Sequence, residues 1–241
     1  MKTLVIAILF LFFTNACLYA QIDARYSPDT TKTICSVKDS LLTTSNDTLI
    51  DRIVNDELKF MQLVFSIKIQ LLFYRQMSNH LTDAFYTPEV FDRRFDYGTV
   101  FISLNLLNKY HGDYWINLIV PLIMSEAFGS TISYLYNKEQ LVGIKSELFS
   151  GFMAGTYLYL RQTVKIINLN DILALFQKIQ DTDFGDVTVH GLPQLKSYAI
   201  LQGYRTAQWY NTNHKYYNIK ISVNEAEKFA HNYDASLYAN Y

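Results

Sequence analysis

Three observations predict an α+β, mainly helical fold with a small β-sheet. Long stretches read as helices, from apolar residues at helical spacing after Leu49, from the apolar run Tyr114–Tyr136 and from caps such as Asn170-Asp171. Two short stretches, Ser66–Gln76 and Thr99–Ile102, are instead rich in β-formers, and the first partly alternates. Half of the residues are hydrophobic, enough for a substantial core in a chain whose length fits one domain.

The chain opens with MKTLVIAILFLFFTNACLYAQ. Lys2 supplies a positive start, Leu4 to Phe13 is an unbroken apolar run, and Ala20 is a small residue before Gln21. This three-part layout predicts a signal peptide over residues 1–20 and an exported protein, periplasmic or extracellular. The run is shorter than the ~20 residues a membrane span needs. An uncleaved anchor, or lipidation at Cys17, are the alternatives. Cleavage would leave Cys35 alone, without a partner for a disulfide within the chain.

Residues 21–46 are polar and lack periodicity, which predicts a loosely ordered lead-in before a domain spanning 47–241. Asn46-Asp47-Thr48 offers a helix cap, and Leu49, Ile50, Ile53 and Val54 continue at helical spacing, so a helix is expected over about 47–63. The β-rich Ser66–Gln76 follows, then a break at Pro88, a turn at Asp96-Tyr97-Gly98 and the strand Thr99–Ile102. Leu104 to Leu107 opens a short helix. From Tyr114 to Tyr136 the chain is almost wholly apolar, interrupted by Pro121 and Glu126. A carboxylate at that position would be costly in lipid, so a buried core helix is expected, with a membrane span as the alternative. Further helices are expected over 138–162, 171–180, 194–210 and 223–237.

The chain has 21 basic and 22 acidic residues, a net charge of -1. That balance offers no basic excess for nucleic acid and no polybasic membrane patch. No two of its five histidines stand at H-x-x-x-H spacing.

Three stretches carry the remaining information: 122–130 (LIMSEAFGS), 146–155 (SELFSGFMAG) and 190–204 (HGLPQLKSYAILQGY). In their order and spacing they resemble the neutral zinc metallopeptidases and related gluzincins. There, one helix carries H-E-x-x-H, a following helix supplies a third ligand from an E-x-x-A-D-like motif, and a later segment beginning His-Gly supports the site. Two histidines four apart lie on one helical face and reach one metal, while the Glu takes a proton from the metal-bound water.

The resemblance implies a metallopeptidase-like helical core in which 114–136 and 138–162 are adjacent helices. It places the catalytic Glu on Glu126, the two histidine positions on Ser125 and Gly129, and the third ligand on Glu147. The Asp of the second motif falls on Gly151. His190 and Gly191 open the third motif, Lys196 stands where an Arg is expected, and Gly203-Tyr204 close it. H-E-x-x-H has thus become Ser125-Glu126-Ala127-Phe128-Gly129, without its imidazoles. The resemblance therefore implies a non-catalytic relative with no cofactor, in a binding or scaffold role toward a peptide or protein partner, with Gly151, His190 and Lys196 lining the cleft. Two alternatives stand beside it. One is an active metal-dependent peptidase using Glu126, Glu147 and His190; the other is an unrelated helical envelope protein.

Overall fold

The structure, a computed structural model, describes residues 41–75, 84–87, 90–95, 97–110, 116–136, 141, 143–162, 174, 193–215 and 217–232. The expected signal peptide, Cys35, His190 and nearly all of the helix expected over 171–180 lie outside these residues.

Helix α1, Thr48–Phe65, begins where the sequence offers a cap. The Asp47 side chain accepts hydrogen bonds from the backbone N–H groups of Leu49 and Ile50 at 2.8 and 3.0 Å, satisfying donors that the first turn leaves unpaired. Its buried stripe is Ile50, Val54, Glu57, Met61 and Phe65, a helical repeat facing the core. Ser66 ends the helix in a left-handed conformation, φ 55°.

Three strands follow: β1, Gln70–Tyr74; β2, Ala84–Thr87; and β3, Thr99–Ser103. The order is β1-β3-β2, with β1 parallel and β2 antiparallel to β3. All five residues of β3 are buried, as its central place requires. β1 is shorter than the expected Ser66–Gln76: Ser66 caps α1, Ile67 to Ile69 lie ahead of the strand, and Gln76 lies outside the described residues. β2 had no expectation attached to it: a short segment ahead of Pro88 gives little periodicity to read. Within the stretch expected to be loose, Leu42 bridges to Phe73 beside β1, and the Ser45 backbone N–H donates to Asp51 of α1 at 2.7 Å.

The remaining helices are α2, Leu104–Lys109; α3, Ile116–Leu135; α4, Ile144–Gln162; α5, Pro193–Thr212; and α6, Ile219–His231. Helix α3 is long and apolar enough to cross a membrane, but 78% of that window is buried inside this fold. It packs on α1, β2, β3 and α4. One apolar core extends from α1 and the sheet through α3 and α4 to α5 and α6.

The closest packing is between α4 and α5. A Cβ added to Gly155 would land on the Ile200 carbonyl, and one added to Gly203 on the Phe152 carbonyl. Gly151 lies one turn before Gly155, against Ala199 and the Lys196 carbonyl. Each helix thus presents small residues four apart, so the two backbones come into direct contact.

Candidate functional site

Glu126 lies in the middle of α3, Glu147 in the first turn of α4 and Lys196 in the first turn of α5. The fold brings these three together. Lys196 Nζ lies 2.6 Å from Glu147 Oε2, and the lysine is only 7% exposed. Both glutamates are half-buried. Gly151 helps to set this geometry. It sits one turn after Glu147 on α4, and a Cβ there would be 3.4 Å from the Lys196 carbonyl. The nearer contact, 3.1 Å, is with the Ala199 Cβ, so the first turns of α5 pack directly against this position.

The electrostatics follow from this packing. Burial raises the pKa of Glu126 above the ordinary carboxylate value; the Lys196 ammonium opposes the rise and the Glu147 charge adds to it. For Lys196 burial alone would favour the neutral amine. Glu147 and then Glu126 outweigh it and hold the lysine charged, with its pKa above the ordinary value. One ammonium therefore serves carboxylates from two other helices.

The positions that would carry imidazoles are closed. Ser125 is buried, and its hydroxyl donates to the Leu122 carbonyl of its own helix at 2.8 Å. A Cβ on Gly129 would lie 2.7 Å from the Ser150 carbonyl oxygen and 2.8 Å from its Cα. Beside it the Ser130 and Ser150 hydroxyls are hydrogen-bonded at 3.0 Å. Gly129 thus meets the neighbour of Gly151, whereas Gly151 itself faces α5. A zinc site of the resembled kind does not fit these residues. Position 129 has no room for a ring, and a cationic side chain already neutralises Glu147. Among the described residues, no three His, Cys, Asp or Glu side chains are grouped so as to hold a metal ion.

A second buried charge cluster was not anticipated from the sequence. Glu57 on α1 accepts hydrogen bonds from the Tyr157 hydroxyl and, at 2.7 Å, from Arg161 Nε, both on α4. Tyr157 also packs on Phe60 and Phe65. Burial, then the Glu57 charge, pushes its phenol pKa upward, so it remains a donor. The available signal was Glu57 itself, the one charged residue in the buried stripe of α1.

The chain was compared with protein-family models, with curated proteins and with solved structures, and nothing matches it in any of the three. The resemblance to zinc metallopeptidases therefore stands on the three short motifs alone.

Proposed function

We propose that this chain is an exported, non-catalytic protein with a metallopeptidase-like helical core and a binding or scaffold role in the cell envelope. One observation carries the reading: Lys196 sets a positive charge beside Glu147 and Glu126, the positions onto which the resemblance maps a metal ligand and the catalytic Glu. Two features support it. Helices α3 and α4 are neighbours with Glu126 and Glu147 on a shared site, and the first-turn lysine of the third motif reaches them. An ammonium balances carboxylates but has no empty coordination position, so it cannot polarise a water as zinc does. Export rests on the layout of the first twenty residues.

Hydrolysis of a mixed peptide library by the mature protein and by Glu126→Gln tests this directly. The expected result is no turnover that distinguishes the two. Zinc-stimulated cleavage by the wild type that disappears in Glu126→Gln would establish an active peptidase instead.

A further inference from the structure

From Val187 to Asn224 the chain contains no Asp or Glu, yet it carries Lys196, Arg205, Lys215 and Lys220. In a chain of net charge -1 this is a pronounced local asymmetry. Lys196 is turned inward to Glu147. Arg205, Lys215 and Lys220 are exposed, and no ion pair holds them among the described residues. The next acid along the chain, Glu225, is engaged by Lys228 at 3.0 Å.

Aromatic residues share this surface. Tyr198, Arg205 and Trp209 stand on one face of α5, at spacings of seven and four. They are all exposed, Trp209 by 50%. Lys215 Nζ lies 4.3 Å from the centre of the Trp209 ring, which fixes a positive charge beside an exposed indole. Tyr210 packs edge-on against Trp209 and in a tilted stack on Tyr217, and Tyr198 packs on Phe229. From Tyr198 to Trp209 the face spans roughly 16 Å at the α-helical rise.

We propose that this outer face of α5, with Lys215 beyond its end, docks an acidic segment of a partner protein. Tyr, Trp and Arg are the side chains that most often dominate protein interfaces, and here they are mounted on one helix. Cations that no carboxylate among the described residues pairs with supply charge complementarity to an acidic partner. A nucleic-acid surface would call for a larger basic excess than this chain has. The proposal extends the binding role to a different face from the Glu126–Glu147–Lys196 site. It stands whether or not that site is a remnant of a metal centre.

The test uses the mature protein and labelled poly-L-glutamate, with labelled oligothymidylate and polygalacturonate as polyanions of other classes. Poly-L-glutamate is expected to bind best, and more weakly as salt screens the charges. The double variant R205E/K215E should weaken it about tenfold or more. K59E/K68E, which makes the same charge change at exposed residues of α1 and the segment after it, should leave binding within about twofold. Trp209→Ala keeps every charge and should still weaken binding several-fold. Four results would overturn the proposal: no binding of poly-L-glutamate, equal or tighter binding of either other polymer, equal losses in the two double variants, or no effect of Trp209→Ala.

Discussion

At the scale of single residues, Lys196 decides the character of the site. Replacing it with Met leaves Glu126 and Glu147 facing each other without a cation. Breaking a buried pair in this way costs roughly 3–5 kcal/mol. Glu147 keeps 30% of its side chain exposed and can relax toward water, so a loss of about 2–3 kcal/mol is expected at neutral pH. Urea denaturation measures it, and the loss should shrink as acid protonates the carboxyls. Glu126 gives a complementary pH signature. Its folded pKa is raised above 4.5, so the native state holds its proton more tightly than the unfolded chain does. Its contribution to stability is then full below 4.5 and is lost as pH rises toward the folded value. Glu126→Gln should remove that part of the decline. A parent and variant with identical pH profiles would show that Glu126 is solvated. The three partners were legible as residue types at motif positions. Which atom met which was not, because an ion pair depends on how three helices dock.

At the scale of elements, small residues control how closely α3, α4 and α5 approach. Gly203→Ala would force a methyl group onto the Phe152 carbonyl. Backbone cannot rotate aside as a side chain can, so a loss of at least about 3 kcal/mol is expected, at or beyond the usual range for overpacking. Gly129→His meets the Ser150 backbone and should cost about 1–3 kcal/mol or more. Thermal melts check both, and a Gly129→His variant that melts like the parent would mean that α3 and α4 separate easily. The Glu57–Arg161 pair joins α1 to α4 with both side chains buried. Glu57→Gln should cost about 3 kcal/mol, and adding Arg161→Met should cost much less than a second equal loss. A double-mutant cycle with no coupling would remove this link. Helix α1 was legible because its periodicity and its cap are both strong, and α3 because of its long apolar run. Asp47 marks the start of α1, and Pro193 opens α5 one residue ahead of expectation. Helix α6 starts four residues earlier than expected, at Ile219, because Asn218 caps it through the Ile221 N–H; that polar cap sits outside the apolar repeat. Strand β2 was not legible, since a four-residue strand takes its identity from its partner β3.

At the scale of the whole molecule, a mainly helical fold with a small sheet was readable from composition and local pattern; the third strand and the mixed order β1-β3-β2 were not. The role of α3 was readable only in part. Its apolar length admits both a core helix and a membrane span, and burial against α1, α4 and the sheet accounts for it as core. Across these levels, glycines bring three helices together and their junction gathers two glutamates and a lysine; in the proposed reading that ammonium stands where the resembled enzymes hold a metal. The most direct measurement is the zinc content of the purified mature protein after equilibration with excess zinc and exhaustive dialysis. The account predicts far less than one zinc per chain, with no change in melting temperature on adding zinc. One tightly held zinc per chain, lost together with thermal stability in Glu147→Gln, would contradict it.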